Sequence, residues 1–254
     1  SEKMLPFPNN DLPGVYGAGA VQTLMNVYGV VPGKKVLMIG AGNIGLIVSY
    51  QLLQAGVDVV GIVEAAPQIG GYLVHASKIR RAGVPIYTGH TILEAKGEKS
   101  VEKAVICELD DKWNEVPGTE QELDVDTICL AVGLKPISDI LIQAGCEMAY
   151  VPHLGGDVAI RDENLKTTSD QIYVAGDSAG IEEATAAMLE GEVAGLSALI
   201  ELDISKEEAK TKRKEVKENL ASLRRGPVGE KIREGLELAK EGNNAGKNRY
   251  TKVK

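Results

Sequence analysis

The apolar positions of the chain change their rhythm from segment to segment, and the changes mark out its elements. Val36-Leu37-Met38-Ile39 is an unbroken apolar run between Gly33-Lys34-Lys35 and Gly40-Ala41-Gly42, the pattern of a parallel strand buried on both faces. From Asn43 to Ala55, Ile44, Ile47, Val48, Leu52 and Ala55 recur at steps of three and four and Gly56 follows, which predicts a helix with a glycine stop. Val57 to Val63 returns to a strand pattern, so residues 35–64 read as one βαβ unit. A further helix over Gly70–Ala82, stopped by Gly83, and a third strand at Val84-Pro85-Ile86 continue the alternation.

The pattern then shifts. Thr91–Ala95, Val101–Leu109 and Val125–Leu130 read as strands separated by turn-prone stretches such as Gly97-Glu98-Lys99 and Pro117-Gly118, which suggests an antiparallel flap inserted in the α/β unit. Short strands are expected within 157–177, the clearest being Ile172-Tyr173-Val174-Ala175 before Gly176-Asp177, and a small-residue helix over Ile181–Leu202 follows. Beyond Asp203 two apolar stripes, Ala209, Val216, Leu220, Leu223 and Val228, Ile232, Leu236, Ala239, lie on basic helices broken at Gly226-Pro227. Gly242–Lys254 reads as a frayed end. The expected fold is α/β: a Rossmann-like, three-layer nucleotide-binding architecture with an antiparallel flap and a C-terminal helical tail. The expected division is 1–33 as a crossover segment, 34–133 as a nucleotide domain, 134–204 as part of a second one, and 205–254 as the tail.

At 254 residues, 44% hydrophobic and 25% charged, the composition is that of a globular protein and excludes an intrinsically disordered chain. No run of about 18 apolar residues and no signal-peptide pattern is present, so no membrane span and a cytoplasmic setting are expected. The net charge of −8 conceals an asymmetry: residues 205–254 carry 15 Lys/Arg against 8 Asp/Glu, which leaves the rest at −15. The basic tail fits either a helix pair packed on its own domain or a contact with a partner subunit; the acidic body argues against nucleic acid. Cys107, Cys129 and Cys146 are spaced 22 and 17 residues apart, unlike a disulfide framework, a zinc knuckle or a redox C-x-x-C, and read as buried small hydrophobes. His75, His90 and His153 have no partner spacing for a metal or a triad. No metal is expected.

The segment that carries chemistry is Gly40-Ala41-Gly42-Asn43-Ile44-Gly45, a G-x-G-x-x-G that follows a strand and opens a helix. Gly40 permits the tight turn, Gly42 lets a pyrophosphate approach the backbone, and Gly45 lets helix and strand pack closely. The free N–H groups at the start of the helix, on Asn43 and Ile44, face the phosphates. Glu64 ends the second strand 19 residues after Gly45, where a carboxylate accepts from ribose hydroxyls and repels a 2′-phosphate. No Arg follows it in Glu64-Ala65-Ala66-Pro67, so NAD(H) is expected over NADP(H). Gly17-Ala18-Gly19 follows no apolar strand and is expected to be a loop.

Three segments in this order resemble the pyridine nucleotide-disulfide oxidoreductase superfamily, flavoproteins with two dinucleotide-binding domains. They are the Gly40–Gly45 loop with Glu64; Ile128-Cys129-Leu130-Ala131-Val132-Gly133-Leu134-Lys135-Pro136; and Thr168-Ser169-Asp170-Gln171-Ile172-Tyr173-Val174-Ala175-Gly176-Asp177. The resemblance implies FAD as a second cofactor, Gly133 where the chain leaves the nucleotide domain, and Gly176 and Asp177 at the ribityl and pyrophosphate region of FAD. Leu5–Val15 and Glu182-Glu183-Ala184 resemble one branch, the FAD/NAD-binding subunits of amine and opine oxidoreductase complexes such as opine oxidase, hydrogen cyanide synthase, sarcosine oxidase alpha and dye-linked proline dehydrogenase.

That likeness implies hydride transfer between NAD(H) and FAD, with a partner subunit in an amine, opine or amino-acid dehydrogenase complex. The family's second G-x-G-x-x-G near the N-terminus has no counterpart, so the chain reads as the C-terminal part of a longer flavoprotein, and the missing segment is an alternative partner. The redox cysteine pair of disulfide reductases is also without a counterpart. No side chain is expected to act as acid or base; Glu182 and Glu183 are expected to complement a helix dipole. A stand-alone NAD-dependent dehydrogenase and a non-catalytic nucleotide-binding protein of an assembly remain as alternatives.

Overall fold

A computed structural model describes residues 1–226 and 229–241. They divide into two compact units, one of Glu2–Gly133 and one of Ser1 with the residues from Leu134 onward.

The first unit is built on a five-stranded sheet in the order β1 (Val15–Gly17), β8 (Thr127–Leu130), β2 (Lys35–Ile39), β3 (Asp58–Glu64), β4 (Ile86–Thr88). Every neighbouring pair in it is parallel. The remaining strands of this unit, β5 (His90–Lys96), β6 (Lys103–Glu108) and β7 (Gln121–Asp124), form the separate antiparallel flap. Helices α1 (Ala18–Tyr28), α2 (Asn43–Gln54) and α3 (Leu73–Arg81) complete it.

The apolar run of β2 is explained by what lies on either side. Val36 and Met38 join Val21 of α1, Leu46, Val48 and Leu52 of α2 and Ile79 of α3 in one core. Leu37 and Ile39 alternate to the opposite face and pack with Ile92 and Ile106 of the flap. The central strands therefore have no wet face, and helices, sheet and flap make three layers.

Several expected boundaries are corrected. The pattern over Val125–Leu130 belongs not to the flap but to β8, which pairs with β1 and β2 in the parallel sheet; the third flap strand is the polar Gln121–Asp124. The strand expected at Val84-Pro85-Ile86 begins at Ile86, since Pro85 has no N–H for the ladder. Gly17-Ala18-Gly19 is not a loop: Gly17 ends β1 and Ala18 starts α1, with the Gly19 N–H donating to the Glu2 carboxylate at 2.6 Å. The three cysteines are free and buried as read, and burial pushes the Cys129 thiol far above its ordinary range.

On the flap's open face, Lys96 of β5 and Lys103 of β6 both donate to Glu122 of β7. These two ammonium groups, Lys103 foremost, hold the Glu122 carboxyl down to about 2. A carboxylate whose pKa is depressed by folding adds stability that is complete above the ordinary carboxylate range and lost as pH falls from there toward about 2. Carbon-detected NMR titration should place the Glu122 midpoint near that value at low salt and move it upward in K103M; an ordinary midpoint in the parent protein would contradict the pairing. All three side chains are solvent-exposed, so salt should weaken the effect.

The second unit holds α4 (Asp139–Gln143), a hairpin of β9 (Met148–Val151) and β10 (Gly156–Ala159), and helices α5 (Ala184–Glu201), α6 (Lys206–Leu223) and α7 (Glu230–Glu241). The strand expected at Ile172–Ala175 is corrected: among the described residues its ladder is reduced to one bridge, Lys166 to Tyr173. Of the tail stripes, Ala209, Val216 and Leu220 are buried, and α6 packs along α5. Ile232, Leu236 and Ala239 of α7 pack with Val151, Leu154 and Val158 of the hairpin. The tail helices thus pack on their own unit; Pro227, Val228 and Gly242–Lys254 lie outside the described residues. No helix among the described residues is long and apolar enough to cross a membrane.

Candidate functional site

The first unit carries a cleft of about 610 Å³ along the ends of β2, β3 and β8. Its floor is the loop between β2 and α2, where the glycines have separate physical duties. Gly40 takes φ +106°, and a Cβ there would lie 2.4 Å from the Ala131 carbonyl oxygen. Gly45 is tighter: a Cβ would stand 1.9 Å from the Gly40 carbonyl oxygen. Gly42 differs from both, because nothing in the protein lies within 4 Å of a Cβ built there. It faces the cleft as bare backbone at the N-cap of α2. A loop that presses helix against strand at two glycines and leaves the middle one open is shaped for a group larger than a side chain.

Asn43 and Ile44 form the first turn of α2. The Asn43 Oδ1 accepts from the Tyr72 N–H at 2.8 Å, and Ile44 is exposed. Glu64 sits at the end of β3 and lines the cleft. Its Oε2 accepts from the Ala41 N–H at 2.8 Å and its Oε1 from the Ala66 N–H at 2.9 Å. These bonds fix the carboxylate beside the glycine loop while leaving each oxygen a further acceptor site. Gly133, at φ +109°, lines the far side of the cleft.

The structure thus brings together around one cleft Gly40, Gly42 and Glu64, with Gly133. It adds residues that sequence reasoning missed. Gly70 lines the cleft, and its neighbour Gly71 donates its N–H to the Ala41 carbonyl at 2.9 Å, with a Cβ on it 2.9 Å from the Asn43 nitrogen; the Gly70-Gly71 pair was the available signal. His90 and Trp113 reach the cleft from the flap. The loop bearing Trp113 is fastened by Asp110, whose Oδ1 accepts from the N–H groups of Lys112 and Asn114, each at 2.8 Å. The indole is 62% exposed. Nothing local marks either residue for this place.

Gly176 and Asp177 belong to the second unit, in the short 3₁₀ turn Gly176–Ser178. Asp177 is exposed, which suits a carboxylate that accepts from hydroxyls of a bound group. The Gly176 N–H is already committed to Glu190 Oε2 at 2.9 Å. The described residues of this unit hold no second strand-glycine-helix cradle, so within them the fit to FAD rests on the exposed Asp177 carboxylate. Glu182 and Glu183 lie just before α5, but Glu182 does not simply complement the helix dipole: its carboxylate accepts from Nε and Nη2 of Arg224, and the same Nη2 also donates to Glu190 at 2.6 Å.

Comparison with curated proteins gives an opine oxidase subunit of Agrobacterium tumefaciens (strain Ach5), 29% identical over 80% of this chain and 42% of the relative. The HcnB subunit of hydrogen cyanide synthase from Pseudomonas aeruginosa is 28% identical over 90% of this chain and 53% of the relative. The chain spans about half the length of these relatives. In fold it is similar to thioredoxin reductase of T. acidophilum, with a TM-score of 0.65 at 21% identity over 78% of this chain and 62% of that one. It is also similar in fold to a FAD-dependent pyridine nucleotide-disulphide oxidoreductase from Desulfovibrio vulgaris, with a TM-score of 0.60 at 22% identity over 77% and 51%. The pyridine nucleotide-disulphide oxidoreductase model itself matches residues 6–191, a stretch that contains the glycine loop, Glu64, Gly133 and Asp177. The chain therefore belongs to the pyridine nucleotide-disulphide oxidoreductase family, whose cofactors are FAD and NAD(P).

Proposed function

We propose that the first unit binds NAD(H) and that the chain is part of a flavin-dependent oxidoreductase in which hydride passes between NAD(H) and FAD. The observation that carries this reading is the glycine loop beside a fixed carboxylate: Gly42 open toward the cleft, Gly40 and Gly45 sealed against protein, and Glu64 held by two backbone N–H groups. The free N–H groups of the first turn of α2 receive the pyrophosphate, as helix N-termini do. Glu64 accepts from the adenosine ribose hydroxyls, and its charge disfavours a 2′-phosphate. Gly133 keeps backbone rather than side chain at the cleft wall. Bound FAD supplies the hydride-exchanging ring, and the protein supplies position and electrostatics. Asp177 accepts from hydroxyls of the FAD chain.

Under this reading residues 34–133 form the NAD-binding domain and residues 134–204 belong to the FAD-binding domain. The relatives named as subunits of opine oxidase and hydrogen cyanide synthase support assembly with a partner subunit that handles an amine, opine or amino-acid substrate.

Trp113 is the one tryptophan of the chain and lines this cleft, so filling the cleft should quench its fluorescence. ADP-ribose and NADH are expected to quench in a saturable way, whereas nicotinamide mononucleotide alone should do so far less. Absence of quenching by NADH, with binding seen elsewhere, would exclude the cleft as the nucleotide site. The redox half is tested by mixing the protein with NADH and a dye and following absorbance at 340 nm. Oxidation that depends on added FAD, or on the FAD-bearing partner, is the expected result. Binding of NADH without oxidation in the assembled flavoprotein would favour a nucleotide-binding assembly role instead.

A further inference from the structure

The second unit contains a cavity of about 300 Å³ between α5, α6 and α7, remote in sequence from the glycine loop. Its most unusual lining residue is Arg161, just after β10, whose residue surface is only 4% exposed. A guanidinium has five N–H donors, yet among the described residues the Arg161 side chain makes one hydrogen bond, from Nη1 to the Ala159 carbonyl at 3.3 Å. The carboxylates that line the cavity or lie beside it are engaged elsewhere: Asp162 accepts from the N–H groups of Asn164 and Lys166, and Glu163 pairs with Lys217. Glu182 is held by Arg224, and Glu190 is shared between Arg224 and the Gly176 N–H; among the described residues neither forms an ion pair with Arg161. The guanidinium therefore leaves most of its donors to whatever occupies the adjoining cavity.

The cavity's shape says what could. Leu165, Val193, Leu220 and Leu236 give it aliphatic walls, while Lys217 and Lys240 also line it. Its volume is at the small end of ligand sites. A hydrated phosphate would waste the apolar walls. A planar carboxylate matches the guanidinium fork through two parallel bonds, and a short aliphatic body would cover the leucine and valine side chains.

We propose that this cavity is a binding site for a short-chain aliphatic monocarboxylate, with Arg161 holding the carboxylate and the walls from α5, α6 and α7 enclosing its alkyl chain. The site is independent of the nucleotide cleft and does not rest on the function proposed for it.

The probes are sodium butyrate and sodium hexanoate, tested by thermal unfolding and by calorimetry against sodium chloride and sodium phosphate at equal ionic strength. Saturating butyrate or hexanoate should raise the unfolding midpoint by about 4 °C, as a ligand that binds only the folded form does, and phosphate and chloride should not. Arg161→Met should abolish the carboxylate effect. Because removing a buried charge can alter folding, Arg161→Lys is the second variant: it keeps the charge, loses the fork, and should bind at least about tenfold more weakly. Equal shifts from phosphate or chloride, or binding by R161K that matches the parent, would overturn the proposal.

Discussion

Replacing Gly45 with alanine should destabilise the protein by about 3 kcal/mol and eliminate measurable NADH binding. The Cβ would begin 1.9 Å from the Gly40 carbonyl oxygen and 3.3 Å from the Ala131 Cβ. The first neighbour is backbone just after β2, so neither rotamer change nor side-chain motion can relieve the clash. Helix α2 would have to move away from the sheet, opening the packing of Leu46, Val48 and Leu52 and dislocating the first turn, to which the proposed site assigns the pyrophosphate. Gly42→Ala is the informative contrast. Gly42 lies at φ −72°, which any residue adopts, and its Cβ would meet no protein atom within 4 Å. Its urea midpoint should match the parent protein while NADH binding weakens at least about tenfold, since a methyl group occupies the space of the pyrophosphate. Loss of stability in G42A, or wild-type binding in G45A, would show that the loop has been misread.

Arg224→Met should cost about 3 kcal/mol, through the charge it leaves behind rather than the charge it removes. The Arg224 side chain is 11% exposed and bridges Glu182 and Glu190, at 15% and 5%. Without it, Glu190 keeps only the Gly176 N–H as a described partner, and the bond from Arg213 to Ser197 remains as a polar tie between α6 and α5. Lys210→Met, which breaks an exposed pair with Glu207, should leave the urea midpoint nearly unchanged. The comparison separates buried from surface pairing in one helix. Adding Glu182→Gln and Glu190→Gln to R224M should recover part of the loss, because amides are less expensive to bury than carboxylates. Urea midpoints with unchanged slopes would check this; equal costs for R224M and K210M would refute it.

Local signals carried much of this structure and non-local ones did not. Val36–Ile39 and the periodic run from Asn43 announce β2 and α2 because burial on two faces and on one stripe leaves direct traces in residue type. The glycines and Glu64 were legible for a related reason: backbone that must approach a ligand closely has few residues to choose from. β7 escaped notice because Gln121–Asp124 has no apolar alternation, its place being set by pairing with β6. Ile172–Ala175 erred in the opposite direction, having the composition of a strand but a ladder of one bridge among the described residues. β1 is only three residues long, too short for periodicity to register. His90 and Trp113 at the cleft, and the cluster around Arg224, depend on contacts between distant segments that no single stretch of sequence displays.

Whether the cleft of the first unit takes NAD(H) through the glycine loop and Glu64 is tested most directly by calorimetric titration of the protein with NADH and with NADPH, repeated on Glu64→Gln. Roughly micromolar binding of NADH is expected, with a Kd for NADPH at least about tenfold higher and a variant that loses affinity for NADH while narrowing that gap. Absence of NADH binding by the parent protein, or an E64Q variant that binds NADH as tightly and discriminates as sharply as the parent, would contradict that assignment.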